Sequence, residues 1–265
     1  MASPGTDLIV DLTERVLTLT LHRPSKLNAL SSDMIGSMID QLQRAVTDPA
    51  IGAVVVTGSG RGFCAGGDVS AMSANSAELS FESRVDRQNS VHELSKLLWE
   101  MPKVTIAAVN GPAVGAGLGI ALSCDLCFAS ERARFGTAFA KVGLGGDFGT
   151  SWQLARKVGA AKAKELFFLG ELQSAEQAAA LGLVNRVLPE SNFIGEVMDI
   201  ARRIAHGPLV SYRYMKQNVN MALSSDFPTS LQREAVSHLR CSQTQDHREG
   251  VAAFLEKRAP RFSGR

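Results

Sequence analysis

Val104 to Asp125 reads V-T-I-A-A-V-N-G-P-A-V-G-A-G-L-G-I-A-L-S-C-D. Val104 to Val109 is a short apolar run with β-branched residues, and Asn110-Gly111-Pro112 ends it with turn chemistry. It therefore reads as a buried strand that stops abruptly. A helix is expected to begin near Gly115. Gly115 and Gly117 bracket Ala116, and residues this small let a ligand approach backbone N–H groups that a first helical turn leaves unpaired. Such a place can hold a negatively charged oxygen. Two other readings compete. The glycines can simply mark close helix packing, or they can belong to a dinucleotide-binding fingerprint. The second fails on spacing: counting from Gly115, the third glycine falls at Gly119, and G-x-G-x-x-G needs it at 120, which is Ile120. No G-x-x-x-x-G-K-[ST] phosphate loop occurs in the chain.

At 265 residues the chain is long enough for one large α/β domain, or a domain with an appendage. Its formal net charge of +2, from 28 Lys and Arg against 26 Asp and Glu, gives no nucleic-acid footprint. No apolar run approaches the ~20 residues that cross a bilayer, and the first residues lack a secretory pattern. A cytoplasmic protein is expected, or an organellar one after processing. Cys64, Cys124, Cys127 and Cys241 are irregularly spaced among apolar residues, which suits free thiols in a reducing compartment. Cys124 and Cys127 form a C-x-x-C without a second pair, so a structural reading is preferred to redox or zinc chemistry.

Before the central stretch, Leu17 to Leu21 alternates as a half-buried strand and His22-Arg23-Pro24 ends it. Ser31 and Ser32 can cap a helix whose Ile35, Met38, Ile39, Leu42 and Val46 recur at helical spacing. Ala53 to Thr57 suits a fully covered strand. In G-F-C-A-G-G-D, residues 62 to 68, paired glycines again bare the backbone, with an ordinary turn as the competing reading. Residues 70 to 80 read as a connection. Ser83 to Met101 is expected to be a helix, with His92 beside its apolar stripe as a boundary residue or a catalyst.

After the central stretch come two short strands, Leu126 to Ala129 and Ala133 to Gly136, then G-L-G-G-D-F-G-T-S at 143 to 151. Asp147 there is a proton carrier if enclosed, or the cap of a helix through Trp152 and Leu154. Ser174-Ala175-Glu176-Gln177 is a capping box and Leu183 to Leu188 a last strand. Beyond about residue 195 the pattern is purely helical to about Lys257, with breaks at Gly207-Pro208, Ser224 to Pro228 and Thr244. That shift divides the chain into an α/β core, 1–194, and a helical region, 195–265.

These segments, taken together, resemble the crotonase, or enoyl-CoA hydratase/isomerase, superfamily. The resemblance runs nearly end to end through R-P-S-K-L-N-A-L at 23 to 30, G-F-C-A-G-G-D at 62 to 68, N-G-P-A-V-G-A-G at 110 to 117, C-D at 124 and 125, A-R-F-G at 133 to 136, and E-G-V-A-A-F-L-E-K-R at 249 to 258. It implies an α/β, ClpP-like crotonase spiral of ββα units with a C-terminal α-helical trimerisation region, assembled as a homotrimer or a dimer of trimers. It also implies an acyl-CoA substrate whose thioester oxygen lies between the N–H groups of Gly67 and Ala116. No tightly bound cofactor, metal, nucleic acid or membrane is implied; coenzyme A enters as part of the substrate. Arg23, Lys26, Leu27, Ala65, Asp68 and Lys257 match positions that line the coenzyme A site, with Lys257 supplied by a neighbouring subunit in one arrangement.

The sequence departs from the family's hydratases at one point. Their two water-activating glutamates align with Gly119 and Phe139, neither of which can move a proton. Asp147, in a G-x-x-D-x-G-T-S-W-like setting, resembles the acidic residue of 2-(1,2-epoxy-1,2-dihydrophenyl)acetyl-CoA isomerase and of some Δ3,Δ2-enoyl-CoA isomerases. One carboxylate suffices for isomerisation, because it removes a proton near the thioester and returns it elsewhere. The expected activity is therefore acyl-CoA isomerisation in fatty acid or aromatic acid catabolism, with Phe139 and His92 in the substrate pocket. The alternatives are a hydratase with another water placement, a non-catalytic acyl-CoA binder, and an aryl-CoA dehalogenase, in which Asp147 would be the nucleophile and His92 a catalytic histidine.

Overall fold

The continuous apolar strands of the sequence separate into two faces once they are paired. In the computed structural model, which describes residues 7–68 and 80–265, six strands form a sheet. They are β1 (Leu8–Thr13), β2 (Val16–Leu21), β3 (Ala53–Gly58), β4 (Val104–Val109), β6 (Leu126–Ser130) and β9 (Arg186–Leu188), in that spatial order. β1 pairs with β2 antiparallel and every later neighbour is parallel. Because side chains alternate along a strand, Val54, Val56, Ala107 and Val109 enter one core while Ala53, Val55, Ile106 and Ala108 enter another. Two-sided burial is the reason these strands read as unbroken apolar runs.

Helices cover both faces. On the first lie α1 (Ser32–Thr47), α2 (Phe81–Glu100) and the short α3 (Ala116–Ser123), contributing Met34, Met38, Leu42, Leu94, Leu98, Leu118 and Leu122 to the larger core. The hydroxyl of Ser31 accepts from the Met34 N–H and caps α1. A second, three-stranded sheet of β5 (Pro112–Val114), β7 (Arg134–Gly136) and β8 (Gln173–Ser174) stands beside α3. Between β7 and β8 runs α4 (Thr150–Leu169), which turns sharply at Gly159, and after β8 comes α5 (Ala175–Ala180), which carries the capping box at Ser174 and Gln177. On the opposite face of the large sheet α6 (Phe193–Ala205) packs Phe193, Val197, Ala201 and Ala205 against Val55, Ile106 and Phe128. The division expected at 194/195 falls within this helix.

The chain ends in α7 (Leu209–Ala222), α8 (Phe227–Ser242) and α9 (Gln245–Leu255), broken where glycine, proline and Thr244 stand in the sequence. A buried ion pair ties α7 to the core: Lys216 Nζ lies 2.8 Å from Asp125 Oδ2 and also donates to the carbonyls of Leu98 and Lys103. Strand β1 was not anticipated, because L-I-V-D-L-T has no strict alternation. The strand expected over Leu183 to Leu188 is confined to Arg186–Leu188. The connection expected over residues 70 to 80 lies, except for Ser80, outside the described residues. Among the described residues no helix is long and apolar enough to cross a membrane.

Candidate active site at the start of the short buried helix

The first turn of α3 is where the conspicuous segments of the sequence meet. Gly115 precedes the helix with φ 56°, a left-handed conformation that a side chain would strain. Its N–H donates to Gly136 O and its carbonyl accepts from Gly119 N. Ala116 is the first residue of the helix, so its N–H belongs to the unpaired first turn. A Cβ on Gly117 would lie 2.3 Å from Cys64 O. Close packing, the plainer reading of these glycines, is thus the reason for Gly117, and it presses the 62–68 segment onto the start of α3. Gly66 sits at φ 99°, and a Cβ there would be 3.5 Å from the Ala116 nitrogen.

The loop before α1 runs alongside. Ala65 N–H donates to Leu27 O, Leu30 N–H to Gly66 O, and Asp68 N–H to Leu30 O. These bonds straddle Gly67 and leave its N–H outside the ladder. The neighbouring thiol is not a competing nucleophile: Cys64 is fully buried, and burial pushes it up to about 12 against a weaker opposing backbone hydrogen bond at Gly66.

Asp147 reaches the same helix from the other side. A Cβ on Gly119, one turn after Ala116, would lie 2.7 Å from Phe148 Cβ and 2.8 Å from both Phe148 O and Thr150 Oγ1. Ser95 Oγ on α2 donates to Phe148 O at 3.2 Å. The turn carrying Asp147 is therefore wedged between α2 and α3. Its carboxylate does not cap α4; Gly149 holds the cap position with no side-chain bond. It accepts instead from His92 Nε2 at 2.5 Å, from Gln88 Nε2 at 2.8 Å and 3.0 Å, and from its neighbour Phe148 N–H at 2.9 Å. The Asp147 side chain is 21% exposed and that of His92 38%, so the pair faces a route from solvent.

Phe139 closes another side. Its ring stacks on Phe167 with centroids 5.9 Å apart, and its Cε1 would be 3.9 Å from a Cβ at Gly115. Arg23 and Lys26 both meet Asp68 Oδ2 at 2.9 Å. Arg23 also donates to Ala29 O and approaches Asp7, so much of its guanidinium is engaged in holding the loop together. Lys26 is half exposed. Lys257 follows α9, where its N–H donates to Phe254 O, and belongs to the C-terminal helices rather than to this cluster. Gln88 was missed in the sequence. Its position four residues before His92, on the same helical face, was the available signal.

The family described as Enoyl-CoA hydratase/isomerase matches residues 11–265. The chain is a member of that family. It is 36% identical over 250 residues to a protein of Escherichia coli K12 named 1,2-epoxyphenylacetyl-CoA isomerase, covering 94% of this chain and 95% of that one. It is 34% identical over 264 residues to the 2,3-dehydroadipyl-CoA hydratase of the same organism, covering 98% and 99%. Among solved structures, the enoyl-CoA hydratase of Polaromonas sp. JS666 superposes with a TM-score of 0.91 at 35% identity, covering 96% of this chain and 98% of that one. The fold is accordingly the crotonase fold, and the family acts on CoA thioesters. Its relatives carry both isomerase and hydratase names at similar identity, so the reaction has to be argued from this chain's own residues.

Proposed function

We propose that the protein is an acyl-CoA isomerase, shifting a double bond or rearranging a ring epoxide through a thioester enolate. In this reading the N–H groups of Gly67 and Ala116 hold the thioester oxygen, Asp147 carries the proton, and Phe139 forms an apolar wall. Arg23, Lys26, Leu27, Ala65 and Asp68 border the coenzyme A portion, Lys257 contacts it across subunits, and α7 to α9 make the trimer contact.

The observation that carries the reading is the closed space at position 119. A hydratase of this family needs a glutamate there, and the Phe148 to Thr150 turn already fills the volume into which even a Cβ would project. With Phe139 at the other glutamate position, the reading assigns the proton to Asp147, whose neighbours Phe148 and Thr150 pack against Gly119. Removing a proton beside a thioester puts negative charge on its oxygen, where two preorganised amide donors count for most. The same carboxylate then returns the proton to the distal carbon.

Asp147→Asn tests this. Isomerisation of 3-hexenoyl-CoA or of the epoxyphenylacetyl thioester is expected to fall by about 10²–10⁴-fold, and retained activity overturns the role. The 2.5 Å contact between His92 and Asp147 favours one second reading, nucleophilic dehalogenation of an aryl-CoA. Chloride release from 4-chlorobenzoyl-CoA would support it. Hydration of crotonyl-CoA at about 10 s⁻¹ or faster would instead favour a hydratase, and tight thioester binding without turnover a non-catalytic binder.

A further inference from the structure

The two oxygens of Asp147 are not equivalent. Oδ1 accepts from His92 Nε2 at 2.5 Å, from Gln88 Nε2 at 2.8 Å and from Phe148 N–H at 2.9 Å. Among the described residues, Oδ2 receives only the longer arm of the Gln88 contact, at 3.0 Å. A carboxylate oxygen offers roughly two lone-pair directions, so Oδ1 is saturated and Oδ2 keeps capacity. The donor assignments follow from chemistry. An ionised carboxylate only accepts, so the Gln88 amide must present its NH2 and His92 must carry hydrogen on Nε2. His92 Nε2 then has no lone pair for Gln88, and their 3.4 Å approach is a contact between two donors aimed at one acceptor.

We propose that Gln88 and His92 are positioning residues for the isomerisation: they clamp Asp147 through Oδ1, so that Oδ2 is the atom that takes and returns the proton. The inference rests on the reading of Asp147 as proton carrier. Both residues come from α2, four positions apart, so one helix face presents two donors to a turn that Ser95 of the same helix also bonds and that Gly119 of α3 packs against. The edge of the His92 ring also meets Phe148, with centroids 5.6 Å apart at 74°, which fixes the imidazole from a second direction. A carboxylate without the clamp would rotate about χ2, whose preference is broad, and either oxygen could turn toward the substrate or away from it. A double-bond shift delivers the proton to a carbon other than the one it left. It therefore benefits from one oxygen held where it can reach both carbons.

The test uses three variants beside Asp147→Asn, with 3-hexenoyl-CoA and the epoxyphenylacetyl thioester as probes. Gln88 is exposed on its helix, so Gln88→Leu should leave folding unchanged. Its kcat is expected to fall about 10-fold or more with KM within about 2-fold, because misplacement of a reacting group acts on the chemical step. Gln88→Glu sets a second carboxylate against the first and is expected to move the acidic limb of the kcat/KM profile to higher pH, since like charges disfavour ionisation. His92→Gln keeps an N–H donor near Oδ1 and is expected to retain more activity than His92→Leu. Unchanged kcat in Gln88→Leu together with an unmoved pH limb in Gln88→Glu overturns the clamp, while an inactive Asp147→Asn leaves the isomerase reading standing. A fully active Asp147→Asn, or a native chain inert toward both probes, overturns that reading itself and the clamp with it.

Discussion

Two aspartates in this chain meet opposite surroundings. Asp125 lies in the interior, where its Oδ2 receives the Thr105 N–H at 2.8 Å, the Thr105 hydroxyl at 3.1 Å and the Lys216 ammonium at 2.8 Å. Burial raises its carboxyl above the ordinary aspartate value, with Lys216 and then Thr105 pulling the other way. Asp147 stands at a solvent route, held by an imidazole, a side-chain amide and a backbone N–H, and among the described residues it forms no ion pair with a lysine or arginine. A fixed cation locks a carboxylate into one protonation state and one set of contacts. Donors other than a lysine or arginine orient it without that lock. The difference separates a group that ties two elements together from one proposed to exchange a proton.

The strongest way to break this contrast is to neutralise each aspartate in turn. Asp147→Asn should cost activity, as above, while leaving the urea midpoint nearly unchanged. Asp125→Ala should do the reverse: an ammonium left buried without its partner typically costs about 3–5 kcal/mol. Equilibrium unfolding should show that loss, and the folded fraction should keep its turnover. If both substitutions damaged stability and activity alike, the two sites would not be independent. A smaller effect is expected at the joint between Asp147 and α3. Gly119→Ala puts a methyl 2.7 Å from Phe148 Cβ and 2.8 Å from its carbonyl oxygen, so the turn must shift at a cost of about 1–3 kcal/mol, and kcat should fall with it.

A third carboxylate sharpens the comparison from the surface. Glu249 on α9 accepts from Arg258 at 2.6 Å and 2.9 Å and from the Arg261 N–H at 2.7 Å. These contacts lower it from 4.5 to about 2. Its folded value is depressed, so its contribution is full above about pH 4.5 and disappears as pH falls through about 2. The protection of the Arg261 amide against hydrogen exchange, relative to the intrinsic rate at each pH, should fall across that window, with little change in global unfolding.

Much of the scaffold was legible in the sequence because local rules and tertiary packing agree there. The run Val104 to Val109, the stop at Asn110-Gly111-Pro112 and the caps at Ser31 and Ser174 each follow from neighbours within a few residues. Strand β1 escaped because only Leu8 of its six residues is buried, so the pairing to β2 rather than a core pattern defines it. The candidate site was half legible. Glycines at 115 to 119 announced tight backbone, but the reason for Gly119, the Phe148 turn from 29 positions later, is a long-range contact. Gln88 carries no motif, and its bond to Asp147 forms only when α2 lies against the Asp147 turn. The Lys216 to Asp125 bond spans 91 residues and no local pattern anticipates it.

The helix over Phe193–Ala205 has a practical consequence for anyone shortening this protein. It is the lining of the sheet's far side, where Val55, Ile106 and Phe128 meet Val197 and Ala201. A fragment cut just before it would expose that greasy underside to water, and such wide apolar patches invite self-association. Fragments that stop beyond Ala222, and so keep Lys216 on Asp125, should remain dispersed in light scattering, whereas those ending near residue 192 should clump.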